Sequence, residues 1–147
     1  MGQKNNMPKI NTNKNLGSEG TISFKLMPIE NDKEKLYLID VGLQKNKDRI
    51  TLIVVKNASG GKDLMLKICN KNSECLGEVI SFPEFQVGSA FDVDVVWSSV
   101  RNIVAVFVND ESRLIIKDDK VIFENLGNEI HYGEDILGGN KSEMTAE

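Results

Sequence analysis

The sequence predicts an all-β fold, an antiparallel sandwich or barrel, and three observations predict it. Short alternating or continuously apolar runs, about nine to eleven of them, fill the middle of the chain. Turn-forming clusters separate these runs every ~8–12 residues, the spacing of sandwiches and barrels. Apolar residues at helical spacing persist nowhere for more than about one turn, too little for a stable helix. The chain has 147 residues and a mass of 16.4 kDa. That length favours a single domain with a sizeable core.

The elements follow in order. In Thr21 to Met27, Ile22, Phe24 and Leu26 share one face, and Pro28 ends the run. Leu36 to Gly42 and Arg49 to Lys56 are the second and third runs. The cluster Asn57 to Lys62 turns the third into Asp63 to Cys69, a hairpin with a longer loop. Glu78 to Phe82 stops at Pro83. Phe91 to Trp97 alternates most strongly, with Phe91, Val93, Val95 and Trp97 on one face and Asp92 and Asp94 on the other. Ile103 to Val108 is continuously apolar and predicts a central strand buried on both faces. Asn109-Asp110 makes the next turn. Leu114 to Lys117 and Val121 to Phe123 flank the Asp118-Asp119 turn, and Glu129 to Tyr132 and Ile136-Leu137 close the set.

Composition narrows the function classes. The net charge is −4 and the pI about 5.1, with 18 Lys and Arg in no dense run. This argues against nucleic acid as the main partner. His131 is the one histidine, which excludes His triads and multi-His zinc sites within one chain. No apolar run reaches the roughly 18 residues of a membrane-spanning helix. Residues 1–18 are polar, lack the apolar stretch of a secretory signal, and read as a flexible N-terminal segment. Met1 stands either as a native start or as a start codon on an excised segment, and Asn6 departs from the Ser or Thr of a myristoylation motif. Residues 141–147 read as a flexible tail, which leaves 19–140 as the folded domain.

Three segments carry a resemblance to a known family. Glu19-Gly20-Thr21-Ile22-Ser23-Phe24 looks like an entry strand written Gly-Thr-Ile-Ser-Phe. Phe91 to Trp97 followed by Ile103 to Asp110 looks like a central strand pair closed by a Val-Asn-Gly turn, here Val108-Asn109-Asp110. Leu137-Gly138-Gly139-Asn140 looks like a late strand end. On these motifs the chain resembles the concanavalin A-like lectin/glucanase superfamily, in particular its laminin-G-like jelly-roll domains. The likeness spans about Glu19 to Asn140 and rests on short structural motifs. It implies two antiparallel sheets packed face to face as a jelly roll, and a non-catalytic, carbohydrate-binding module of a larger surface or secreted protein. The ligand would lie on the concave sheet or on loops at its edge. Two departures stand out. Asp110 replaces the turn glycine and tolerates left-handed geometry less well. The family also has a further strand after Gly-Gly-Asn, whereas seven residues follow Asn140 here. The sandwich is therefore incomplete, borrows the N-terminal segment, or is completed by a partner chain. An open edge of that kind favours an alternative reading, a structural or protein-interaction domain of a virion, tail fibre or cell envelope with no sugar ligand.

Catalysis on this fold would need two carboxylates flanking the sugar bond. Glucanases of the family carry Glu-x-Asp-x-x-Glu or Glu-x-Asp-x-Glu on one strand, and this chain has neither. Asp92 and Asp94 share a face without an accompanying Glu, as on a solvated strand face, so no enzyme is expected. Sugar binding favours exposed rings, because a sugar's apolar face stacks on them. Trp97 points inward, which leaves Tyr37 and Tyr132 as the exposed aromatic candidates, with His131 beside them on the binding edge. Calcium needs six to eight oxygens from several loops. Asp118, Asp119, Asp135 and Asn140 are the candidate donors, although adjacent acids in turns are mostly turn formers.

Cys69 and Cys75 flank the polar stretch Asn70 to Glu74. Across a hairpin end the two face each other at disulfide distance, which would indicate an oxidising, extracellular or cell-surface setting. Two unrelated thiols are the alternative. The spacing fits neither a redox Cys-x-x-Cys pair nor a zinc set. Asn57-Ala58-Ser59 and Asn140-Lys141-Ser142 match the common glycosylation triplet. The expected core comprises Ile22, Phe24, Leu38, Leu52, Leu66, Phe91, Val93, Val95, Trp97, Ala105 and Phe107.

Overall fold

The computed structural model describes residues 9–28, 34–133 and 144–146. Its elements are all strands: β1 (Lys9–Leu16), β2 (Glu19–Leu26), β3 (Lys35–Gln44), β4 (Lys47–Lys56), β5 (Lys62–Cys69), β6 (Cys75–Ser81), β7 (Phe91–Ser98), β8 (Ile103–Val108), β9 (Glu111–Lys117), β10 (Gly127–Tyr132) and β11 (Met144–Ala146). They form a six-stranded sheet, β1-β10-β3-β4-β5-β6, and a five-stranded sheet, β11-β2-β7-β8-β9. Every pairing is antiparallel. The fold is an all-β jelly-roll sandwich. Among the described residues no helix is long and apolar enough to cross a membrane.

One apolar core lies between the sheets. The six-stranded sheet supplies Leu38, Ile39, Val41, Ile50, Leu52, Leu66, Ile68 and Ile130, and the five-stranded sheet supplies Ile22, Phe24, Val93, Val95, Trp97, Val104 and Val106. Strand alternation produces this: every second residue of β2 and β7 turns inward, and polar neighbours turn out. The indole of Trp97 donates from Nε1 to the Gly17 carbonyl at 3.0 Å. A buried ring thereby satisfies its one donor and anchors the link between β1 and β2.

Several expectations change. Lys9–Leu16, expected within a flexible segment, pairs with β10, and Met144–Ala146 of the expected tail pairs with β2. Both sheets thus take strands from outside 19–140, as in the alternative where the sandwich borrows the N-terminal segment. Residues 121–123 form no strand; Val121 and Phe123 are buried plugs in a loop. In β8 the inward set is Val104, Val106 and Val108, while Phe107 is only half-buried and Ala105 shares its outer face. A continuously apolar strand does not announce which parity faces the core. Ile136 and Leu137 lie outside the described residues.

The Asn109-Asp110 turn has φ of 51° and 68° at its two residues. Both are left-handed, as a two-residue type I′ hairpin loop requires. Asn109 compensates with its side chain, whose Oδ1 accepts from the Asp92 amide at 3.0 Å.

Candidate functional site

The outer face of the six-stranded sheet carries the candidate site, and strand register builds it. The loop Lys45-Asn46 joins β3 to β4, so Asp40 lies opposite Thr51 and Gly42 opposite Arg49. A bulge at Leu38 resets the pairing so that Tyr37 lies opposite Ile53. Register carries on into β5 and β6. One row reads Tyr37, Ile53, Met65, Val79. The next reads His131, Asp40, Thr51, Lys67, Gly77. The third reads Gly42, Arg49, Cys69, Cys75. An apolar row thus runs beside a polar one across the sheet.

Asp40 is the pivot of the polar row. It is a charged residue within the otherwise apolar run Leu36 to Val41, and its side chain has no solvent exposure. A buried carboxylate must be paired and hydrogen-bonded. Arg49 does this from across the hairpin: Nε donates to Asp40 Oδ1 at 2.8 Å, and Nη2 donates to Oδ2. This is the two-pronged guanidinium–carboxylate geometry, which fixes both groups. Thr51 Oγ1 also donates to Asp40 Oδ1, at 3.3 Å, and Arg49 Nη1 donates to the Gln44 carbonyl at 3.3 Å. Gly42 leaves room for the arginine, because a Cβ there would lie 2.9 Å from Arg49 Cγ. The Arg49 side chain stays 14% exposed.

Above this network is a cleft of about 250 Å³, lined chiefly by Tyr37, Arg49, Thr51, Ile53, Met65 and Lys67. Lys35, Lys45, Asn46 and Cys69 complete its rim. The volume falls just below the ~300–1,000 Å³ of drug-sized pockets, so the cleft suits one small group or ring. Tyr37 is half-buried, with the Lys35 ammonium 5.7 Å from its ring centroid. The disulfide Cys69–Cys75 closes the end of the third row, with Cα atoms 4.1 Å apart. It ties β5 to the edge strand β6 where Cys69 meets the cleft.

The sequence-predicted residues divide. Tyr37 lines the cleft. His131 is half-buried on the same face, beside Asp40. Tyr132 is corrected: it is 5% exposed and belongs to the core. Neighbours on a strand point to opposite faces, so His131 and Tyr132 cannot both line one surface. Asp118 Oδ1 accepts from the Lys120 amide at 2.9 Å, the geometry of a turn former, and Asp119 is exposed beside it. Asp135 and Asn140 lie outside the described residues. Among the described residues no group of three or more His, Cys, Asp or Glu side chains could hold a metal ion. Asp92 pairs with Lys25 at 3.3 Å on the outer face of the five-stranded sheet.

Asp40, Arg49, Thr51, Met65 and Lys67 are site residues that the sequence did not single out. One signal was present: pairing about the Lys45-Asn46 turn puts Thr51 opposite Asp40 and Arg49 one step away.

No protein-family model matches the chain, and no curated protein matches it. Solved structures do. Sheep galectin-11, solved with glycerol, matches with a TM-score of 0.63 at 12% identity, over 96% of this chain and 97% of that one. The ligand-binding domain of botulinum neurotoxin serotype D, solved with N-acetylneuraminic acid, matches with a TM-score of 0.63 at 14% identity, over 94% of this chain. The enzymatically active domain of tailspike protein 2 from bacteriophage CBA120 matches with a TM-score of 0.65 at 13% identity, over 84% of this chain. This chain spans 34% of the toxin chain and 20% of the tailspike chain. Such identities define a shared class of fold, the jelly-roll sandwich of galectins and lectin-like domains.

Proposed function

We propose that the chain is a non-catalytic binding module that takes a saccharide on the outer face of the six-stranded sheet. The observation that carries this reading is the pairing of rows: Tyr37, Ile53 and Met65 beside Asp40, Thr51 and Lys67, with a cleft over both. A pyranose has an apolar face and a rim of hydroxyls, and it asks for that combination. Arg49 and Thr51, held in place by Asp40, offer preset polar groups, so little ordering entropy is lost on binding. The likeness to galectin-11 and to a toxin domain solved with N-acetylneuraminic acid supports the reading.

The finer resemblance is to laminin-G-like members of the concanavalin A-like superfamily. It is supported by Gly20 to Phe24 falling within β2 and by Phe91 to Val108 falling within the β7–β8 pair. The domain would be one part of a larger secreted or surface protein, a setting in which the Cys69–Cys75 bridge persists.

A glycan-array screen of the folded chain, with calcium and with chelator, tests this. Binding to a defined saccharide is expected, weakened about tenfold by Tyr37→Ala. Loss in chelator would assign calcium to the candidate donors Asp118, Asp119, Asp135 and Asn140. Silence on a folded sample would overturn the reading. It would favour the second one, a protein-interaction domain. One observation speaks for that alternative: Val96, Ala105 and Ile115 lie side by side on the outer face of the five-stranded sheet, and Ile115 is 51% exposed.

A further inference from the structure

We infer that the saccharide this cleft selects is anionic, bearing a carboxylate or a sulfate; the inference rests on the saccharide reading above. Its basis is the charge of the lining. Lys35, Lys45, Arg49 and Lys67 all line the cleft, and no Asp or Glu does. The carboxylate of Asp40 lies beneath, bonded to Arg49, and offsets that one cation. Three lysines remain, and among the described residues none of them is in an ion pair. The chain as a whole carries −4. A patch of positive charge in an acidic protein is a local field, and it raises the concentration of anions over that spot.

The positions sharpen the point. Lys67 stands in the polar row between Thr51 and Gly77. Gly77 carries no side chain, so the row opens toward the sheet edge past Lys67. Lys45 lies in the β3–β4 loop beside Asn46, past the Gly42–Arg49 row along the strands. A sugar ring over Tyr37 and Thr51 would therefore have one ammonium group across the sheet from it and another in the direction of the hairpin loop. An acid substituent in either direction meets a cation, and a neutral sugar leaves these lysines only to water. The arginine fork is already filled by Asp40, so the lysines, which bind as point charges, set the preference.

The test uses the full chain and three matched probes: lactose, 3′-sialyllactose and 3′-sulfolactose, titrated by calorimetry at low and high NaCl. An acidic probe is expected to bind about three- to tenfold more tightly than lactose. The advantage should shrink as salt rises. It should fall in Lys67→Gln and Lys45→Gln, and persist in Lys117→Gln, which removes the same charge from the other sheet. The sialylated and sulfated arms tell the two sources of charge apart. Equal binding of all three probes overturns the anion preference and leaves the saccharide reading standing. Equal binding of sodium tripolyphosphate and the acidic sugars overturns it as well, by showing charge without ring recognition. No binding of any sugar overturns the saccharide reading, and the anion inference with it.

Discussion

Two aspartates of β3 and β4 are almost fully buried, and they do different work. Asp48 is 5% exposed and left-handed, with φ of 50°. Its oxygens accept from the backbone amides of Glu124 and Asn125, both at 3.1 Å. Its own amide donates to the Asn70 carbonyl at 3.1 Å. Asn70, 1% exposed, reaches on to the Lys120 carbonyl at 2.8 Å. Together they fasten the segment that carries Val121, Phe123 and Leu126 into the end of the sandwich. Asp40 is 1% exposed but bonds a side chain, the guanidinium of Arg49, which faces the cleft. A carboxylate satisfied by backbone amides holds a loop. A carboxylate satisfied by a side chain holds that side chain in position for something else.

The largest expected effect falls on the structural aspartate. Asp48→Ala removes two charge-assisted bonds, leaves two amides without their acceptors, and puts alanine in a left-handed conformation. Unfolding in urea should show a loss of about 3 kcal/mol. Saccharide affinity measured well below the midpoint should be unchanged. A lost affinity would erase the distinction between the two aspartates.

Arg49→Ala should cost binding as well as stability. It takes two charge-assisted bonds from Asp40, at a cost of about 2 kcal/mol. It should also abolish binding at concentrations where the parent chain saturates. Arg49→Lys keeps the charge without the fork, so stability should recover more than affinity does. Full affinity in Arg49→Ala would place the ligand elsewhere.

The smallest effect concerns the rim of the same face. The Lys9 ammonium, 2.9 Å from Glu129, holds that carboxyl below its usual range through a hydrogen bond and charge attraction, with His131 adding to the pull. The lowered value means that the pairing of β1 with β10 is favoured fully above the ordinary carboxylate range. The gain is lost as pH falls through the lowered value. Both side chains are exposed, so the effect is on titration more than on stability. In Lys9→Ala the Glu129 midpoint, followed by side-chain NMR, should move up toward the ordinary value.

Much of the fold was legible because alternation is a local property. Ile22, Phe24 and Leu26 announce β2, and Phe91 to Trp97 announces β7. β1 was hidden because Lys9 to Leu16 is mostly polar and lies at a sheet edge, where pairing through the backbone suffices. The face of β8 was ambiguous because both of its parities are apolar. The site was least legible. Tyr37, Thr51 and Lys67 sit on three strands, and what unites them is register, including a bulge at Leu38 that no local pattern reveals.

The pairing of Lys9 with His131 and of Met144 with Phe24 joins opposite ends of the described chain. Such contacts close very large loops, whose entropy must be lost before any pairing is gained. On a ribosome, β2 to β9 can assemble by neighbour-to-neighbour hairpins and a β2–β7 crossing, whereas β1 must wait for β10 and β2 for β11. During that interval the flanks of β3 and β2 are unpaired strand edges, open to a neighbouring nascent chain. The late arrivals therefore decide whether this sandwich closes on itself or exchanges a strand with a second copy.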